Sequence, residues 1–418
     1  MTGFRRDAQD SAVLGSLRLS QVIRDADVEL PAYVYDVDGM TETLRSLKHA
    51  FGDAPHLVAY AIKANSAGTV VRAFAAEGAG VDAVSGAEVE LALACGVPAE
   101  KLVMSGVAKT DAELDLAISK RILAIQAESV EELTRIVARA RAVGHRADVS
   151  LRLNPGIEID SHAHIATGHD EAKFGISESD LAAAYAVIDG SEGRLAQVGL
   201  STHIGSMLTS TEAYARSARK TCELTRERRE AVSTLKYVDF GGGFGVDYGS
   251  APSAAPSEFA HTCVRTLRDA GLSDLTIVVE PGRSLVAPFG VVVARIVQTK
   301  RSAERRWVMI NAGMNDLIRP ALYSAKHRIE LLEAAPQDPE WRVVGPVCES
   351  SDDFGAHPLG PNPEGLVALR DAGAYGFVMA SEYNGRALPS EVFIQGGKVA
   401  SVSRSAGAKA WLQRRLQA

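Results

Sequence analysis

Cysteine is scarce in this chain: 418 residues hold four, Cys95, Cys222, Cys263 and Cys348, all far apart. Neither a disulfide framework nor a zinc ribbon has such spacing, so a stapled secreted scaffold is excluded and a reducing cytoplasm is expected. Long apolar runs are missing too. No window approaches the ~20 apolar residues of a membrane helix. The opening stretch, MTGFRRDAQDSAVLGSLRLS, carries two arginines without the apolar core of a signal peptide. No membrane partner is expected. Blocks of one charge sign are absent as well, and the net charge of -7, from 45 basic and 52 acidic residues, argues for solubility and against a nucleic-acid partner. What remains is an ordinary globular composition, 46% hydrophobic and 23% charged with 37 glycines.

A chain of this length exceeds one compact core unless part of it is a barrel of about 250 residues. Residues 1–30 read as one short helix, and LPAYVYD (30–36) as a strand behind a proline. From Gly39 strand-like runs alternate with helix-like ones. The strands are HLVAYAI (56–62), GVDAVS (80–85), LVMSG (102–106), ILAIQ (122–126), DVSLRLN (148–154), QVGLSTHI (197–204), YVDFGGG (237–243) and LTIVVEPG (275–282). Between them lie alanine-rich segments such as SVEELTRIVARARAVG, apolar at helical spacing. Eight such units with strands buried on both faces predict an α/β fold, a (β/α)8 TIM-like barrel, over an open doubly wound sheet. After Gly282 the alternation stops, and runs such as FGVVVARIVQTKR and EVFIQGGKVASVSR are β-rich. The expected domains are therefore 1–38, an amino-terminal segment whose strand completes the β domain, 39–283, the barrel, and 284–418, a carboxy-terminal all-β domain of sandwich or barrel-like form.

The active site of such a barrel lies at the carboxyl ends of its strands. Unusual polar residues collect there: Lys63 after the first strand, His203 on the sixth, Gly241–Gly243 after the seventh and Glu280 on the eighth. A lysine at the tip of a buried strand is either a snorkelling surface side chain or a desolvated amine able to form a Schiff base with a carbonyl. The glycine triplet is either a tight turn or a phosphate cradle, and it fits neither the dinucleotide nor the Walker A pattern. His203 taken alone reads as a core histidine, and Glu280 with Arg283 as a buried ion pair. Their shared rim favours chemistry. His162, His164 and His169 lie in a loop-like interval without a carboxylate to orient them, so no metal is expected. A Schiff-base lysine, a phosphate cradle, a stacking imidazole and an acid for a pyridine nitrogen together describe pyridoxal 5'-phosphate.

Six stretches carry a resemblance: YAIKANS (60–66), HIGS (203–206), GGG (241–243), EPGR (280–283), CES (348–350) and GAYG (373–376). From about residue 30 to about 395 the chain resembles the fold type III pyridoxal-phosphate decarboxylases, and within them the diaminopimelate decarboxylases. The subfamily is marked by Thr167-Gly168 with KFG (173–175), by MNDLIRPALY (314–323) and by GPVCES (345–350). The resemblance implies that Lys63 carries the cofactor as a Schiff base, His203 stacks on its ring and Glu280 pairs with its pyridine nitrogen. It implies that Ser206, Gly242, Gly243, Gly282 and Arg283 hold the cofactor, and that Tyr375 touches cofactor and substrate. Arg283, Arg319 and Tyr323 would grip the distal carboxylate of the substrate, and Glu349 its distal ammonium. Cys348 would return a proton after CO2 departs, arriving from the partner of a homodimer with shared active sites.

The implied reaction is conversion of meso-2,6-diaminopimelate to L-lysine and CO2. A substrate lacking the second carboxylate would leave a buried arginine unmatched. Other readings on the same fold are a decarboxylase of another or carrier-linked amino acid, a racemase and a non-enzymatic cofactor-binding protein. Met207, Phe244 and the tail after about residue 400 depart from the family's usual residues.

Overall fold

The computed structural model describes residues 3–157, 173–249 and 252–417. The chain divides into two compact units, one of Leu44–Gly245 and Ser253–Ser284, the other of Met1–Thr43, Val246–Pro252 and Leu285–Ala418.

The first unit is a closed barrel of eight parallel strands. We label them β1 (His56–Ala61), β2 (Gly80–Ala83), β3 (Leu102–Met104), β4 (Ala124–Ala127), β5 (Ala147–Leu153), β6 (Leu195–Thr202), β7 (Tyr237–Asp239) and β8 (Thr276–Val279). Each pairs with the next, and β8 pairs with β1 through Ile277–His56 and Val279–Val58. Closure leaves no edge, so each of these short strands has a neighbour on both sides. Inside, Ala59, Val103, Ala124, Val198, Tyr237 and Val278 form one cluster. Small residues alternate with the large ring of Tyr237, and Gly199 is required beside it because a Cβ there would stand 2.5 Å from that ring.

Local sequence sets the helix starts that return the chain to the next strand. Ser85 and Ser129 accept the backbone N–H of Glu88 and Glu132, and Thr110 closes a capping box with Glu113. Gly144, at φ 78°, ends the long helix Val130–Val143 in the left-handed conformation that glycine adopts without a Cβ penalty.

The second unit is mostly strand. The run Gly290–Arg301 pairs with Ala32–Asp36, Arg306–Ile310 and Leu366–Leu369. The amino-terminal strand Ala32–Asp36 thus lies inside the sheet, between Gly290–Arg301 and Ser390–Gln395. Val34, Val291, Val293, Val392 and Ile394 are buried in its core beside Leu19 and Val22 of the helix Leu19–Ala26. Each such side chain contributes about 2 kcal/mol by leaving water.

Two features escape a reading by hydrophobic pattern. A small sheet of Phe4–Arg6, Ala12–Leu14 and Leu17–Arg18 precedes the first helix, and a helix, Gly407–Leu416, follows the last strand. Strands of two or three residues are too short to show a period, and the final helix has no fully buried residue to impose one.

Candidate active site

The buried strand β1 ends at Ala61, and Lys63 sits in the 3-10 turn Ile62–Ala64 that follows it. The turn lifts the amine out of the core. Lys63 Nζ donates to Asp82 Oδ2 at 2.9 Å, with the lysine side chain 37% exposed and the aspartate wholly buried. Burial opposes ionisation of Asp82, yet the Lys63 ammonium outweighs it and holds the carboxyl below its ordinary range. The result is an accessible amine anchored by a fixed negative charge.

His203 follows β6 directly, and its Nδ1 accepts the Gly242 N–H at 3.3 Å. That bond places the proton of the neutral ring on Nε2. Desolvation first, then the charges of Arg152 and Lys63, push its pKa down to about 3. The ring is therefore uncharged at neutral pH, and part of its surface remains accessible.

The glycine turn needs its glycines for close backbone approach. A Cβ on Gly242 would lie 2.0 Å from the Glu280 carbonyl oxygen, and one on Gly243, at φ +90°, 2.1 Å from that of Gly205. Gly282 packs on Ala61 and Ala64, where its Cβ would sit 3.1 and 3.0 Å away, so the ends of β1, β6, β7 and β8 converge. Arg283 donates to Ser206 Oγ at 3.2 Å on the same rim.

Glu280 Oε1 accepts Gln126 Nε2 at 2.7 Å. Burial, Asp239 and Asp82 together raise its pKa well above the carboxylate range, against the pull of Lys63. Lys63, His203, Ser206, Gly242, Gly243, Glu280, Gly282 and Arg283 thus share one rim. Asp82, Gln126 and Asp239 join them there without having been singled out in the sequence. The available signal was a lone polar residue near the carboxyl end of each of three apolar strands.

The other proposed residues belong to the second unit. Arg319 is buried, donates to His327 Nε2 at 2.8 Å and lies 4.6 Å over the Tyr248 ring. Tyr323 ends the same short helix, Arg319–Tyr323. Glu349 accepts the Tyr383 hydroxyl at 2.5 Å, and the backbone N–H of the exposed Cys348 donates to Asn384 Oδ1 at 3.0 Å. Tyr375 is half-buried at φ 54°, a strained backbone for a bulky side chain. Thr167, Gly168, His162, His164 and His169 lie outside the described residues.

Residues 37–287 match the family model of the pyridoxal-dependent decarboxylases, in their pyridoxal binding domain. The chain belongs to this family. Among the related decarboxylases, the diaminopimelate decarboxylase of Zymomonas mobilis is 36% identical over 379 residues, 90% of each chain. That of Pseudomonas aeruginosa is 37% identical over 378 residues, again 90% of each. The crystal structure of the Helicobacter pylori diaminopimelate decarboxylase complexed with L-lysine has a TM-score of 0.87 and 34% identity, covering 93% of this chain and 97% of that one. For the M. jannaschii enzyme in co-complex with L-lysine the TM-score is 0.91 at 28% identity, covering 99% and 97%.

The rim fits the family's cofactor. It offers an accessible amine for an aldehyde, a neutral flat imidazole for a ring, a buried acid for a basic ring nitrogen, and close-packed glycine backbone with Arg283 and Ser206 for a phosphate. Among the described residues no cluster of metal-ligating side chains competes with this assignment, and no helix is long and apolar enough to cross a membrane.

Proposed function

We propose that the chain decarboxylates meso-2,6-diaminopimelate to L-lysine and CO2, using pyridoxal 5'-phosphate held on the barrel rim. The observation that carries the chemistry is the convergence of an accessible amine, Lys63, an imidazole, His203, and a buried acid, Glu280, from three strands of one barrel. The diaminopimelate decarboxylases named above, two of them in complex with L-lysine, support the substrate.

When bound, pyridoxal phosphate supplies the electron sink for carbanion chemistry at an amino-acid Cα. Lys63 provides the amine that holds it, and Asp82 keeps that amine aimed into the rim. His203, uncharged, offers a stacking face without a charge to desolvate. Glu280 would meet the ring nitrogen, while Ser206 and the backbone around Gly242, Gly243, Gly282 and Arg283 would hold the phosphate end. Arg283, Arg319 and Tyr323 bind the distal carboxylate, Glu349 binds the distal ammonium, and Tyr375 orients cofactor and substrate. Cys348 returns a proton to the substrate Cα, serving the barrel of a second copy in a cytoplasmic homodimer.

The visible spectrum of purified protein tests this reading. The wild type, loaded with pyridoxal phosphate, shows the cofactor's visible band, Lys63→Ala loses it, and meso-diaminopimelate perturbs it with release of CO2. Release from another diamino acid and not from this one overturns the substrate. No band after loading overturns the cofactor site.

A further inference from the structure

Gln126 stands in β4, Asp239 ends β7 and Glu280 follows β8. Because β4 pairs with β3 and β5 only, the three side chains meet through the barrel interior. The Gln126 amide divides between two acids: Nε2 donates to Asp239 Oδ2 at 2.8 Å and to Glu280 Oε1 at 2.7 Å, while Oε1 accepts the Ser105 hydroxyl at 3.2 Å. Its partners fix which end is which, since two carboxyls require donors and a hydroxyl supplies one. Asp239 Oδ1 also accepts the Gly241 N–H at 2.8 Å. The site is buried, with Asp239 0%, Gln126 2% and Glu280 8% exposed.

Two carboxyls this close in low dielectric do not both ionise, so they share a proton. Asp239 has N–H donors on both oxygens, the surroundings of the anion. Among the described residues Glu280 meets a single N–H, and burial beside the Asp239 charge disfavours its anion, so the proton belongs on Glu280. The other charges facing Glu280 are Asp82 on β2 and Lys63 after β1. They are an ion pair at 2.9 Å and largely cancel there.

We propose that Asp239, held by Gln126, keeps Glu280 protonated before the cofactor arrives, so that the acid meeting the pyridine nitrogen of pyridoxal phosphate brings that nitrogen its proton. The Glu280 O–H bond breaks, an N–H bond forms, and the carboxylate left behind faces the cation it has made. No other reactant is consumed. Asp239 and Gln126 are positioning residues, and the inference rests on the reading that Glu280 faces the ring nitrogen.

Infrared difference spectra of the apoenzyme and the enzyme loaded with pyridoxal phosphate test it without reference to activity. Wild type loses one carboxylic-acid carbonyl band on loading, and Glu280→Gln shows no such loss. Asp239→Asn lacks the band before loading, because the neutral amide donates where the carboxylate accepted. On loading it takes up about one more proton than wild type, read from the buffer dependence of the calorimetric heat. A normal visible band without loss of the acid carbonyl in wild type overturns the proposal alone, as does equal proton uptake in Asp239→Asn. No visible band overturns the cofactor reading with it. Should Asp239→Asn fail to fold, the wild-type and Glu280→Gln spectra decide.

Discussion

At the scale of single residues burial disfavours charge on His203, Asp239 and Glu280. His203 titrates near 3 in the folded chain against 6.5 when exposed. Between those values the unfolded chain binds a proton that the folded one refuses, so this residue makes stability fall as pH drops from about 6.5. Asp239 acts in the opposite sense. Its pKa, raised from 3.8 to about 6 by burial, lets the folded state hold a proton longer, so stability falls as pH rises over that window. Between pH 4 and 6 the His203 and Asp239 slopes offset each other, and Glu280, its pKa also raised by burial, adds a decline with rising pH. His203→Gln in the apoenzyme is therefore expected to steepen the decline with rising pH by up to about 1.4 kcal/mol per unit, read from urea midpoints across that range. Unchanged midpoint slopes would refute the buried neutral imidazole. At this scale the sequence was legible where a residue's type is unusual for its place, as with Lys63, His203 and Glu280. It was silent on Asp82, Gln126 and Asp239, whose partners come from strands remote in sequence.

Elements determine how closely those residues approach. The glycine turn after β7 touches the backbone that follows β8, so Gly242→Ala must push Glu280 away by displacing main chain. We expect a cost of about 3 kcal/mol in stability from this overpacking. Cofactor affinity, measured by quenching of protein fluorescence, should drop at least about tenfold, since that is the effect of losing about 1.4 kcal/mol of binding. A loss of stability with unchanged affinity would separate the turn from the cofactor. On the rim side of the barrel, Lys109 is buried and donates to the Gln126 carbonyl at 2.7 Å and to both Glu132 oxygens at 3.2 Å. Burial lowers its pKa, against the pull of Glu132 and Glu128. Lys109→Met leaves Glu132 without its cation and should cost about 3–5 kcal/mol in denaturant unfolding. Pairing it with Glu132→Leu should restore much of the loss, because a matched apolar pair carries no desolvation penalty.

For the whole molecule, the proposal of a homodimer with shared sites has a numerical consequence. Lys63→Ala and Cys348→Ala remove groups that would serve one site from two different chains. Each variant alone should be inactive or nearly so. Mixed after dissociation and reassembly, half the dimers are hybrids with one intact site of two, so about a quarter of wild-type activity should return. No recovery, with hybrids confirmed by mass, would mean that each chain supplies both groups to its own site.

The sequence by itself determined the eight strand and helix units, the change to β structure after Gly282, and the family, because hydrophobic period and turn residues act locally. It also marked the rim, since in a parallel barrel every strand delivers its carboxyl end to the same face. Tertiary structure alone decided the rest. Closure of β8 on β1 brings Gln126 across to Asp239 and Glu280, burial removes the water that would otherwise screen them, and together these assign the protons. Lys63 shows the division most plainly: its place was readable in the chain, but its ion pair with Asp82 and its accessibility depend on a turn and a neighbouring strand. Coulomb energy depends on distance and dielectric, and neither exists until the chain has folded.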